Sequence, residues 1–249
     1  MKTKKQCLGR KILSPPILTW QKFLNLAKIS RMAGHWEYEN HPASFDVVKK
    51  TGDLINELAL DAVRLEGTFK DTRPHHRFIF LTVATGEHQW CAGNYRGARL
   101  PYLALCEAGL YSQGKLVQAC VHPSAVARRM SNFHEKLVSE LDRLKKVAKA
   151  QQLAPAKMLV AVANLVGTFF ANFLEIHPYA NGNGHISRIL VWCLFRVFGI
   201  NSKFWNVVHR NARPEDELIL QYRNNNKKPL LDCFKTLIES ENTRIQLAA

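Results

Sequence analysis

Between positions 177 and 188 the chain reads His-Pro-Tyr-Ala-Asn-Gly-Asn-Gly-His-Ile-Ser-Arg. His177 is a side chain that exchanges a proton near neutral pH and so offers a general base. Shortly after it, a Gly-Asn-Gly turn at 182–184 opens a strongly apolar helix over Ile186–Phe198. A turn of this kind aims successive backbone N–H groups at one point and adds the positive end of a helix dipole. The result is an anion cradle suited to phosphates. A base beside a phosphate cradle is the outline of a nucleotidyl or phosphoryl transfer site.

The rest of the chain must position these residues. Thr19 is placed to cap a helix beginning at Trp20, and Gly34 sits where it would stop. A second helix is expected from Phe45 to Leu65, with Leu54, Leu58, Ala62 and Leu65 on one face, ending at Glu66-Gly67. From Phe78 to Val121 the chain changes character. Its β-branched and aromatic runs (Phe78–Val83, Tyr102–Leu105 and Leu116-Val117) are punctuated by five glycines, which reads as loops and one or two short hairpins. After Pro123, Met130, Phe133, Leu137, Leu141, Leu144 and Ala148 recur at helical spacing. Two helices are expected near the end, one from Arg213-Pro214-Glu215 and one from Pro229 to Glu241. The predicted class is mainly α with a small β excursion.

Composition narrows the setting. At 249 residues, 47% of them hydrophobic, the chain can bury a full core, and wholesale disorder is excluded. The formal charge of +15 favours acidic partners, whether nucleic acid, anionic membrane or phosphorylated ligands. Six scattered cysteines form no C-x-x-C pair, which argues against zinc and against a disulfide framework, and points to a reducing cytoplasm. The basic amino terminus lacks an adequate apolar region behind it for a signal peptide, because Ser14-Pro15-Pro16 interrupts. Met158 to Leu174 carries no charge for seventeen residues. That is the lower limit for a membrane span, but polar interruptions and the lack of a second such segment favour a buried central helix over a transmembrane one.

The motif resembles the signature of the Fic (Fido) family, His-Pro-Phe-x-(Asp/Glu)-Gly-Asn-Gly-Arg-x-x-Arg. His177, Pro178, Gly182, Asn183, Gly184 and Arg188 match it, and Tyr179 is an aromatic substitute. Gly93-Asn94-Tyr95-Arg96 looks like the family's Gly-x-Tyr-Arg, and His122-Pro123-Ser124 through Met130 looks like the helix start after its flap. The resemblance implies a Fic-like catalytic domain over 41–249, preceded by a basic extension with one helix over 1–40. It implies transfer of AMP from ATP to a Ser, Thr or Tyr hydroxyl of a target protein. Pro178 would end the central helix at the site. His177 would take the hydroxyl proton, while Gly182, Asn183 and Gly184 hold phosphate oxygens at close backbone approach. Arg188 would grip the distal phosphates with its planar fork.

Two positions depart from the family pattern. Asn181 stands where the family has the carboxylate that holds Mg²⁺, and offers at most a neutral carbonyl or a hold on a metal-bound water. His185 replaces an arginine near the leaving pyrophosphate. Removal of AMP, another nucleotide donor, and non-catalytic nucleotide binding therefore stay open as alternatives.

Ala62-Val63-Arg64-Leu65-Glu66-Gly67 resembles the inhibitory helix of Fic proteins restrained from the amino-terminal side, which implies a Glu66–Arg188 pair. The flap would lie at about 96–121, with strands at Leu103–Cys106 and Leu116–Cys120 and a turn at Gly109–Gly114, and would receive the target's segment as an added strand. A rival of another class is a nucleic-acid-binding helical protein. Its motivation is the basic residues of the amino terminus, Lys145-Lys146-Lys149 and Arg223-Lys227-Lys228, although no recognition-helix motif supports it. The same charge would suit an enzyme with an acidic or nucleic-acid-associated target.

Overall fold

The computed structural model describes residues 36–112, 115–200, 205–207 and 215–241. The basic arm, the helix expected from Trp20 and the turn residues Gln113 and Gly114 lie outside the described residues. Among those described, the fold is mainly α, with eight α-helices and one two-stranded antiparallel hairpin.

Helix α1 (Phe45–Leu60) buries Val47, Thr51, Leu54 and Leu58, a stripe at helical spacing. The single helix expected through Leu65 is broken at Asp61. That residue is extended (φ −123°, ψ 96°), and its carboxylate accepts the Arg64 N–H at 2.9 Å, starting a second short helix, α2 (Ala62–Gly67). Aspartate competes well for helix caps and poorly for helix interiors, so the break falls there.

The run Phe78-Ile79-Phe80 is helical, not extended: it ends α3 (Arg73–Phe80), which has Pro74 in its first turn. His75, His76, Ile79 and Phe80 are all buried, and that shared burial outweighs β-propensity. The hairpin also sits differently from expectation. Leu103–Leu105 forms a 3-10 turn, and strand β1 (Gly109–Ser112) occupies the stretch assigned to the turn, pairing with β2 (Lys115–Ala119). Tyr102 opens that 3-10 turn from a positive φ of 65°, and Cys106 N–H closes it onto Leu103, so the chain cannot extend there.

Helix α4 (Pro123–Lys149) starts with Pro123 at its head and the His122 ring accepting the Ser124 N–H. Helix α5 (Pro155–Ile176) is the apolar segment, long and apolar enough to cross a membrane. In this fold it packs against α4, α6 (Asn183–Val197) and α8 (Lys228–Glu241), while α7 (Glu215–Arg223) leans on α8. Gly167 permits the α5–α8 approach, because a Cβ there would come within 2.8 Å of Leu231. Phe133, Phe169 and Phe173 meet edge to face on the α4 side of α5. On its α8 side Phe170, Trp205 and Phe234 do the same. The site lies where α5 ends and α6 begins.

Candidate functional site at the start of α6

Pro178 ends α5 as the sequence implied, and His177 caps the helix in the left-handed region, with φ 51° and ψ 63°. A non-glycine residue held there is strained, and the surrounding bonds show what holds it. Arg96 is almost wholly buried. Its guanidinium donates to the carbonyls of Ile176 (3.0 Å), His177 (2.6 Å), Cys106 (2.8 Å) and Val121 (3.1 Å), and its own N–H to Pro178 (2.8 Å). One cation thus satisfies the orphan carbonyls at the end of α5 and ties them to both chain segments flanking the hairpin.

The loop from Tyr179 to Asn183 is closed by Asn183, whose side-chain amide accepts the Tyr179 N–H at 2.9 Å and donates to its carbonyl at 2.8 Å. Tyr179 stacks on His76 with ring centroids 3.8 Å apart, and its hydroxyl lies 2.7 Å from Thr72 Oγ1. His76 accepts the Gly93 N–H through Nδ1 (2.9 Å), so Nε2 carries the proton and donates to the Asn181 carbonyl (3.0 Å). Burial pushes the His76 imidazole down to about 3, which keeps it neutral and preserves this tautomer. Gly182 has φ +78° and caps α6; any Cβ would strike the Phe80 ring at 2.4 Å.

A cavity of about 460 Å³ opens over this turn. Asn181, Gly182, Gly184, His185 and Arg188 line it from the motif, and Tyr38, Glu39, Ser44, Val47 and Val48 from the opposite wall. The cavity opens at the head of α6, where the first N–H groups of a helix generally lack intrahelical acceptors; the Ile186 N–H already bonds to the Gly182 carbonyl at 3.2 Å. Arg188 is buried and reaches back over the turn: a Cβ on Gly184 would lie 3.1 Å from its guanidinium. Its Nε donates to Val207, and its carbonyl accepts the Trp205 indole N–H, both at 3.0 Å. The structure therefore brings together five of the motif residues singled out in the sequence. Volume and lining suit a nucleotide-sized anion.

His177 does not line the cavity. Its imidazole lies at the Leu174 carbonyl, beside Arg96 and Arg223, and burial with those two cations brings it down to about 4. At neutral pH it is therefore unprotonated. Asn183 does not line the cavity either; it is buried, and its side chain is spent on closing the loop.

Asn181 does not fit the metal role given to it. Its amide oxygen takes the Gly182 N–H at 2.7 Å, and its amide nitrogen donates to the Trp36 carbonyl (2.9 Å) and to Glu39 (3.2 Å). It presents donors, not an oxygen, to the cavity. Among the described residues no group of three His, Cys, Asp or Glu side chains converges as a metal site.

Glu66 is not at Arg188. Its carboxylate is held by Lys145 at 2.7 Å on the exposed surface, and that bond lowers its pKa. The implied Glu66–Arg188 pair is corrected on this point: α2 begins anew at Asp61 and turns Glu66 towards α4. Basic residues counted for a nucleic-acid surface are also engaged. Lys145 holds Glu66, Lys228 holds Asp232, and Arg223 donates to the Leu174 carbonyl at 2.6 Å.

Three contributions were missed in the sequence. Trp36–Asn40 falls within the stretch 1–40 that the sequence reads as an extension, yet Trp36 and Tyr38 are core residues against Phe80 and His185, and Glu39 walls the cavity. The aromatic doublet around Glu37 was the available signal. His76 carried no signal beyond a His-His pair. Arg96 belonged to a recognised motif, but its bonds to α5 were not readable from it. Comparison with protein-family models, with curated proteins and with solved structures finds no match to this chain.

Proposed function

We propose that this chain is a protein adenylyltransferase of the Fic type, moving AMP from ATP to a hydroxyl of a target protein. The observation that supports it best is the convergence of Gly182, Gly184, His185 and Arg188 on one nucleotide-sized cavity at the start of α6. In this reading the α6 N–H groups and Arg188 bind the phosphates and stabilise charge on the departing pyrophosphate. The hydroxyl oxygen bonds to the α-phosphorus, the bond from that phosphorus to the bridging oxygen breaks, and His177 receives the hydroxyl proton. A polyanionic nucleotide beside His177 raises the proton affinity of an imidazole that burial and two arginines have lowered. Its ring, now at the Leu174 carbonyl, turns towards the bound phosphate in that step; catalytic contacts commonly tighten only with substrate present. The hairpin of β1 and β2, anchored at its flanks by Arg96, is the surface offered to the target.

Intact mass after incubation with ATP and Mg²⁺ tests the reading. An AMP-sized gain on the protein or on an added acceptor, lost in His177→Ala and in Arg188→Ala, is the expected result. Equal gain in His177→Ala, or no gain by a wild type that binds ATP, would overturn it.

A further inference from the structure

We propose that Glu39, and not a residue of the motif, is the protein's ligand for the divalent cation that accompanies a nucleotide in this cavity. The inference rests on the phosphate-site reading above and names how that site is completed.

Mg²⁺ keeps several waters and is characteristically held by one or two carboxylates together with substrate phosphates, so a single well-placed carboxylate suffices. The motif supplies none. Asn181 has its amide oxygen committed to Gly182, and its amide nitrogen donates to the Trp36 carbonyl and to one further group. The group that nitrogen meets, 3.2 Å away, is Glu39 Oε2, delivered from 142 positions earlier in the chain. Glu39 is the one carboxylate lining the cavity among the described residues. It is held there by the short Tyr38–Asn40 turn, which the buried rings of Trp36 and Tyr38 anchor against Phe80. The charge absent at position 181 is thus restored beside it.

A carboxylate in an anion site could instead act as a plug that competes with phosphate. Such a plug draws its hold from the site's cation, and Glu39 does not: among the described residues it makes no ion pair with Arg188. Arg188 is tied instead to the 205–207 segment. Glu39 is also exposed, leaving room for the waters that a hydrated cation retains. Its position suits a bridge between carboxylate, cation and phosphate.

The test is calorimetric titration of ADP into wild type, Glu39→Gln and Glu39→Gln/Asn181→Asp, each with Mg²⁺ or with EDTA. ADP reports binding without turnover. In wild type, Mg²⁺ should tighten ADP by about tenfold, the range of ordinary coupling between two ligands. Glu39→Gln should lose that dependence while still binding ADP in EDTA, and the added carboxylate at 181 should restore it. Unchanged Mg²⁺ dependence in Glu39→Gln overturns the assignment. Tighter ADP in Glu39→Gln with Mg²⁺ present overturns it in favour of a plug. Wild type that binds no ADP under either condition removes the phosphate-site reading itself, and the assignment with it.

Discussion

At the scale of single residues, Arg96 and Gly182 carry more of the site than their chemistry suggests. Among the described residues Arg96 makes no ion pair with a carboxylate; its guanidinium donates to four carbonyls, two of them at the negative end of α5. Removing the guanidinium orphans those carbonyls in a buried place. Arg96→Met should therefore lower unfolding free energy by about 3 kcal/mol or more in chemical denaturation. Arg96→Lys should recover little, since an ammonium cannot span the fork. A loss below about 1 kcal/mol for Met would refute the strut. Gly182→Ala combines a positive φ with a 2.4 Å clash on Phe80, so it should abolish ADP binding even where the fold survives by circular dichroism. Glu66 sits at the other extreme. Its bond to Lys145 is an exposed ion pair, and Glu66→Gly should change nucleotide binding little, whereas a marked gain would restore the inhibitory role that its position opposes.

At the scale of elements, the long helices were legible because their signals are redundant. α4 and α5 each have proline at their head and many apolar residues at 3.6-residue spacing, and the turn between α5 and α6 was legible because glycine and proline state backbone geometry directly. The short elements were not. Asp61 broke a helix whose apolar stripe continued across it, Phe78–Phe80 followed burial over propensity, and β1 lay in residues that read as a turn. The break at Asp61 was decided by a local cap and the place of β1 by the 3-10 turn ahead of it, but the course of Phe78–Phe80 was decided by packing distant in sequence. So was the outer wall of the site, where a side chain 142 positions from the motif meets Asn181. The cap at Asp61 offers a check on the first of these. Asp61→Ala should cost about 1 kcal/mol, with the loss confined to α2 in hydrogen exchange. Exchange unchanged at Arg64 would show that the cap is not what starts the helix.

At the scale of the whole molecule, burial of histidines makes stability depend on pH. His75 and His177 are brought down to about 4 and His76 to about 3, chiefly by desolvation, and His134 is lowered for the same reason. Three lie on contacts that tie the site to its surroundings: His75 with Thr68, His76 between Gly93 and Asn181, and His134 against the Phe69 carbonyl. Because folding lowers these values, the unfolded chain binds the more protons below its ordinary histidine pKa of about 6.5. Unfolding free energy should then be flat above about pH 7 and fall on acidification. The window runs from about 6.5 down to about 4 for two of the groups and to about 3 for His76. Within it each fully neutral histidine contributes a slope of about 1.4 kcal/mol per pH unit. The Asp71 carboxylate, which burial pushes up but bonds to Arg73 bring down on balance, and the Glu66 carboxylate, lowered by Lys145, add to the same loss at the acidic end. Denaturant titrations between about pH 8 and pH 5 measure this directly. Near pH 5 the slope should correspond to uptake of about three protons on unfolding. His76→Gln should remove about one of them, although glutamine also disturbs the stack on Tyr179. A stability profile flat across that range would mean that these rings are protonated in the folded chain, and the neutral His76 bridge from Gly93 to Asn181 would fall with it.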